Sequence, residues 1–445
     1  MKFNKWTVGL AAIGVVSLAS AARADEKMSP VQTALSNTTI SGYVSASFNW
    51  AMSPGANHYQ YSPGVAIPYQ GPNYSKQDGF NLDVVKLSIA KPQDESPWAA
   101  GYQVDLLFGP DAVGFNPSAN AANSVGVDDG PARVTTERID FAIKQAYVSL
   151  RTPAGNGIEW KVGVFDSPIG YESFDAGNDP NYTRSWGNAI EPTELTGFLA
   201  SYKVVDELSL SAGFANVLMA GINQRAHPFG AGVLDQSKDW HKAILGSATF
   251  TGPSSWGWAA GSSLYAGLVY GFNGQSGGPS GFHQGGNQIN YYAGATMNTP
   301  CKQLTMGMAF DYAHNFRGGW EYPTYFAEAN VMAVGLYATV KATDKLSFNA
   351  RGEYVYGELN YNNEVAAAAK NGSADGIALT GTVEYDLWAN VISRLELRWD
   401  HLNSVPNNSG VISNPSPFSD INAEPGTTHS HKDSLGFYAN IIYKF

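Results

Sequence analysis

Leu435-Gly436-Phe437-Tyr438-Ala439-Asn440-Ile441-Ile442-Tyr443-Lys444-Phe445 decides the fold of this chain. Leu435, Phe437, Ala439, Ile441, Tyr443 and Phe445 occupy every second position, with Gly436, Asn440 and Lys444 between them. A β-strand sends successive side chains to opposite faces, so the segment has one apolar face and one largely wet face. Tyr438 and Ile442 are the exceptions on the wet side. A strand that must close a barrel in lipid has reason to end this way, on an aromatic residue.

The same alternation recurs upstream. Trp98, Ala100, Tyr102, Val104, Leu106 and Phe108 share a face opposite Gly101, Gln103 and Asp105. Leu395, Leu397 and Trp399 alternate with Arg394, Glu396, Arg398 and Asp400. An Arg or Lys against lipid near the bilayer midplane costs roughly 2–4 kcal/mol, an Asp or Glu somewhat less. Four such charges would consume most of the ~5–15 kcal/mol by which proteins are stable. The charged face must therefore point into a barrel and the leucines into lipid.

Sixteen candidate strands follow from this pattern, near 38–51, 79–91, 98–109, 137–151, 158–166, 193–203, 207–217, 239–251, 257–272, 287–298, 303–314, 327–341, 345–358, 375–387, 392–402 and 433–445. Those near 193–203, 239–251 and 327–341 alternate least cleanly, which leaves fourteen or eighteen strands open. Long connections, such as 52–78, 110–136, 167–192 and 403–432, alternate with turns such as Ala342-Thr343-Asp344. Long loops outside and short periplasmic turns inside, with an even strand count, are the pattern of an all-β, antiparallel outer-membrane barrel. A soluble sandwich or propeller predicts no such strict alternation. Trp50, Trp98, Trp160, Trp258, Trp388, Tyr443 and Phe445 fall near strand ends, where interfacial girdles sit.

Composition agrees. Aromatics make up 13 % of the 445 residues, charge is sparse at 15 %, and 48 glycines are present. At the start, Lys2 and Lys5 precede an apolar run to Leu18, and Ala22-Arg23-Ala24 offers a cleavage site. The expected organisation is a signal peptide over 1–24, a short periplasmic segment over 25–37 and a barrel over 38–445. Loss of Lys2, Lys5 and Arg23 would make the net charge of −11 three units more negative, so nucleic acid is an unfavourable partner. Cys301 is the single cysteine, so no internal disulfide can form.

Sixteen strands enclose a space too wide for side chains to fill. The inward positions include Lys144, Lys161, Arg351, Arg394 and Arg398, with Asp105, Glu159, Glu353, Glu384, Glu396 and Asp400. Fixed charges in a narrow pore set which solutes pass. The most specific local signal lies at 162–198, where Phe165-Asp166-Ser167-Pro168-Ile169-Gly170-Tyr171-Glu172 leaves a strand and Tyr182-Thr183-Arg184-Ser185 follows. Here the chain resembles a family of bacterial outer-membrane porins, β-barrel porin family 2. The likeness of signal peptide, strands and terminal Phe445 extends over nearly the whole chain. It implies a water-filled channel for passive diffusion of small hydrophilic solutes or ions, without a cofactor or a reaction. It also implies a place in the outer membrane among its lipids, delivery by the barrel-assembly machinery through the C-terminal strand, and a homotrimer by analogy with general porins.

The loop 167–192 is similar in position to the constriction loop of general porins, and carries Glu172, Asp175, Asp179, Glu191 and Arg184. Folded inward, its carboxylates would face Arg351, Arg394 and Arg398 across the pore and create a transverse field. A loop packed outside on the rim is the competing reading. Other classes are weaker. A plugged structural or adhesive barrel is the main alternative. His429-Ser430-His431 with Asp433 has metal-type donors, but it reads better as a solvated loop. Gly274-Gln275-Ser276-Gly277-Gly278 matches a nucleophile elbow. The helix that such an elbow needs is replaced by Pro279-Ser280-Gly281, which argues against a lipid hydrolase.

Overall fold

A computed structural model of the chain describes residues 37–52, 78–115, 141–218, 222, 242–272, 287–315, 320–322, 325–362, 372–404 and 433–445. The expected signal peptide, the motif at 274–278 and the His429/His431 pair lie outside them. The wall is a closed antiparallel barrel of sixteen strands. In chain order these are β1 (Thr39–Ala51), β2 (Gly79–Lys91), β3 (Ala100–Phe108), β4 (Phe141–Thr152), β5 (Ile158–Asp166), β6 (Glu194–Val205), β7 (Leu208–Ala215) and β8 (Ala243–Thr251). There follow β9 (Ser263–Gly271), β10 (Gln288–Asn298), β11 (Leu304–His314), the short arm β12 (Trp320–Tyr322), β13 (Tyr325–Lys341), β14 (Leu346–Asn362), β15 (Gly372–Trp388), β16 (Val391–Ser404) and β17 (Asp433–Lys444). β12 pairs only with the upper end of β13, so it adds no stave to the wall.

Each stave pairs with its sequence neighbours, and β17 pairs with β1 to close the ring. At this seam the Gly42 N–H donates to the Phe445 carbonyl and the Phe445 N–H to the Gly42 carbonyl, both at 2.9 Å. A side chain at Gly42 would clash with the Lys86 backbone carbonyl of β2 and meet the Phe445 ring at 2.8 Å, so this position needs glycine. The register sends Leu435, Phe437, Ala439, Ile441 and Tyr443 outward, while Ser434, Tyr438, Asn440 and Ile442 are buried inside. Leu395 and Leu397 are exposed on the outer face, and Arg394, Glu396, Arg398 and Asp400 are buried inside. Both faces match the cost argument for charge in lipid. A slip of one residue would exchange them.

Two tryptophans depart from expectation. Trp98 does not continue β3. It stands in the preceding turn with φ of 63° and is 73 % exposed. Trp258 belongs to a 3-10 helix over Ser254–Ala259, because Pro253 and the left-handed Gly257 and Gly261 turn the chain there. β9 accordingly begins at Ser263, and the connection 252–262 is longer than the tight turn expected. Both indoles project from periplasmic turns at the level where interfacial anchors sit.

β13, β14 and β15 are each 17 residues long, against the ~9–11 needed to cross a bilayer. Their outer ends therefore stand clear of the membrane. Aromatic contacts mark the two boundaries of the apolar belt. Phe48 meets Phe80 at 5.1 Å and Phe108 meets Phe141 at 5.2 Å near one rim. Trp160 meets Phe198 at 6.3 Å near the other.

Candidate functional site

The connection from β5 to β6 turns into the lumen. Gly170 permits this, having a φ of 125° that other residues rarely adopt. Ile169 is buried among the inward Phe165, Leu195, Leu199, Leu245 and Val269. The Tyr171 ring stacks on Tyr337 of β13 at 4.3 Å between centroids. Glu172 then accepts from Arg351 of β14 at 2.9 Å. Asp175 accepts from Lys86 of β2 at 2.7 Å. Lys444 of β17 donates to the Gly177 carbonyl at 3.0 Å.

The return path runs back along the same arc of strands. Arg394 of β16 donates to the carbonyls of Ala176 and Asp179, and Asn181 donates to Thr382 of β15 at 2.7 Å. The Glu396 carboxylate takes the N–H groups of Tyr182 at 2.6 Å and Thr183 at 2.9 Å. The Tyr182 hydroxyl lies 3.0 Å from both Ser47 of β1 and Asp83 of β2. Arg351 donates to the Thr183 carbonyl at 2.7 Å, and Arg351 and Arg398 both donate to that of Arg184. A short helix, α1 (Trp186–Ile190), is capped by Ser185 and receives Glu353 at the Trp186 N–H, 2.6 Å away. Asn290 of β10 closes the circuit on the Ile190 carbonyl at 2.7 Å.

The residue types have a physical reason. A loop inside a barrel has no neighbouring strand to pair with, and buried carbonyls without partners are costly. Guanidinium groups present five N–H donors in a fixed fork and can satisfy several carbonyls at once. Arg351, Arg394 and Arg398 do this while holding carboxylates of their own. Arg351 contacts Glu353 at 2.7 Å, Arg394 contacts Glu384 at 2.7 Å and Arg398 contacts Asp400 at 2.7 Å.

This arrangement corrects the expected transverse field. The three arginines are at most 2 % exposed, so the loop covers them and they do not face a carboxylate wall across water. Glu172 and Arg351 are in direct contact. Asp175 is paired with Lys86 instead, and Asp179 with Arg184 of the loop itself. Among the described residues, Glu191 has no arginine in ion-pair contact. Burial, with Asp311 and then Glu172 close by, pushes its carboxyl well above the usual range. Lys161 stays partly exposed on the inward face of β5, its ammonium 4.9 Å over the Tyr147 ring.

Sequence reading did not single out Lys86, Asp83, Thr382 or Asn440 as part of this site. Lys86 carried a usable signal, since it alternates with Val85 and Leu87 and so had to point inward. Asn440 donates to Ser45 at 3.0 Å within the network that receives Tyr182. Cys301 is exposed on a turn. No group of metal-type donors occurs among the described residues.

The polar anchors of the loop fall on β10, β11 and on β13 round to β2. Lower on β4 to β8, Ser149, Glu159, Lys161, Ser201, Ser211, Ser247 and Thr249 face the lumen and remain at least partly exposed. A family model described as "Putative beta-barrel porin-2, OmpL-like" matches residues 37–445. The chain belongs to this porin family. It is an outer-membrane channel for passive diffusion of small hydrophilic solutes or ions.

Solved structures agree on the fold of this porin. It is similar to OmpF of Salmonella typhi in complex with daunomycin, at 11 % identity and a TM-score of 0.53, covering 92 % of this chain and 97 % of that one. It is also similar to an anion-selective porin from Comamonas acidovorans, at 12 % identity and a TM-score of 0.50, covering 92 % and 99 %. OmpT of Vibrio cholerae in its trimer form gives 11 % identity, a TM-score of 0.50 and coverage of 92 % and 99 %. No sequence among the curated proteins matches the chain.

Proposed function

We propose that the loop 167–192 is the constriction of this porin, and that solutes pass between it and the lower inner wall of β4 to β8, below the contact of Ile169 with that wall. The observation that carries this reading is the clamp of Arg351, Arg394 and Arg398 on loop carbonyls, which fixes the loop against one side of the lumen. Passive diffusion needs no bound cofactor and no reaction, so the protein is read as a channel and not an enzyme. Homotrimerisation is proposed from the OmpT likeness, whose solved form is a trimer. Export through a signal peptide cut after Ala24, embedding in outer-membrane lipids and insertion by barrel-assembly machinery acting on the C-terminal strand complete the proposal.

Single-channel recording on wild type and on a variant with 172–188 replaced by a short Gly-Ser linker tests the constriction. The deletion should enlarge the conductance steps and let larger sugars swell liposomes. Steps and size limits unchanged by the deletion would refute it.

A further inference from the structure

We infer that Lys161 gives the passage a preference for anions, and that the solutes it favours are small, hydrogen-bonding organic carboxylates. The inference rests on the constriction reading above and runs against the preference for cations that the acidic net charge would suggest.

The cations beside the loop are already engaged. Lys86 holds Asp175 and Asp105, Lys144 holds Asp166, and the three arginines hold carboxylates and loop carbonyls. Lys161 has no carboxylate within ion-pair distance among the described residues. The acidic groups that act on it are Asp166, Glu159 and Asp105. Each has another partner: Asp166 takes Lys144, Glu159 takes Arg151 at 3.4 Å, and Asp105 takes Lys86 at 3.1 Å. The ammonium lies over the ring of Tyr147, whose electron-rich face stabilises the cation without neutralising it.

Height in the barrel matters as well. Lys161 lies near the periplasmic end of β5, and the loop descends to a similar level on the other side. Tyr171 there approaches Thr296, close to the periplasmic end of β10, and Gly177 reaches Lys444. The uncompensated charge therefore stands where the loop has narrowed the lumen, and a fixed charge acts most strongly on a solute in a narrow, low-dielectric passage. Beside it run hydroxyls. Ser149 is directly across from Lys161, and Ser201 and Ser211 lie 2.8 Å apart on the next staves. Ammonium and hydroxyls together suit a carboxylate that also carries hydrogen-bonding groups.

Planar-bilayer reversal potentials in a potassium chloride gradient test this, followed by a gradient with gluconate replacing chloride on one side. Wild type and Lys161→Arg should favour the anion. Lys161→Glu should shift the chloride-to-potassium permeability ratio by about threefold or more toward potassium, the order expected for one reversed charge under partial screening. Lys161→Gln should fall between, and both neutral and acidic variants should lose gluconate permeability before chloride. A wild-type pore that prefers potassium, or a ratio that Lys161→Glu leaves unchanged while steady steps persist, would overturn the inference alone. No steady steps from wild type would overturn the channel reading and the inference together.

Discussion

The two sides of the lumen hold one loop by different chemistry. From β14 round to β3 the inner wall is ionic: Arg351, Glu353, Arg394, Glu396, Arg398 and Asp400 are buried and meet loop backbone or one another. From β5 to β10 the part of the wall that packs on the start of the loop is mainly apolar: Phe165, Leu195, Leu199, Leu245, Val269 and Tyr292 pack with Ile169 and Tyr171. The ionic side satisfies the loop's polar groups in fixed positions, whereas the apolar side only excludes water. Directional bonds set where the loop sits, and non-directional packing tolerates small shifts.

The sharpest way to break this contrast is Arg398→Ala. It leaves Asp400 without its buried cation, while Glu353 keeps Arg351, and such a loss costs about 3–5 kcal/mol. Denaturant unfolding in detergent micelles should record that loss, and conductance noise should rise as the loop loosens. Leu245→Ala on the apolar side should cost less, about 2 kcal/mol, at the lower end of core truncations because lumen water can enter the gap. Its single-channel noise should stay at the wild-type level. Equal noise in the two variants would erase the distinction.

The junction between the two sides supplies a smaller effect. Glu191 meets Asp311 of β11, and its folded-state pKa is raised, chiefly by burial. The folded state therefore holds a proton that the unfolded state would release. The stability this contributes is complete below the ordinary carboxylate range and is lost as pH rises through the raised value. Thermal unfolding of wild type should show this slope, and Glu191→Gln should flatten it. The smallest change belongs to Glu159→Gln. It removes a pair with Arg151 in which Glu159 is about half exposed, and should alter stability by under about 0.5 kcal/mol.

The barrel was legible in the sequence because lipid imposes a period of two on every stave, and each charged residue in a strand reports its face. Arg394, Glu396, Arg398 and Asp400 could be placed inside from the sequence alone. Trp98 and Trp258 were misread because an aromatic beside a strand mimics its next outward position, while glycine and proline had already turned the chain. The loop's fate was less legible. The composition of 167–192 suits a rim as well as a lumen, and what decides between them is the carbonyl-binding role of Arg351, Arg394 and Arg398. Backbone acceptors leave no trace in side-chain patterns, so those arginines read as partners for carboxylates across water.

Tyr182 carries one further consequence. Its hydroxyl touches β1 and β2, its N–H binds Glu396 of β16, and its ring lies 5.6 Å from Tyr438 of β17. These four staves come from the two ends of the chain and become neighbours only once the ring has shut. A segment from the first half of the polypeptide thus staples the join from within, so its seat is completed last, and loosening the staple weakens the cylinder where its two ends meet.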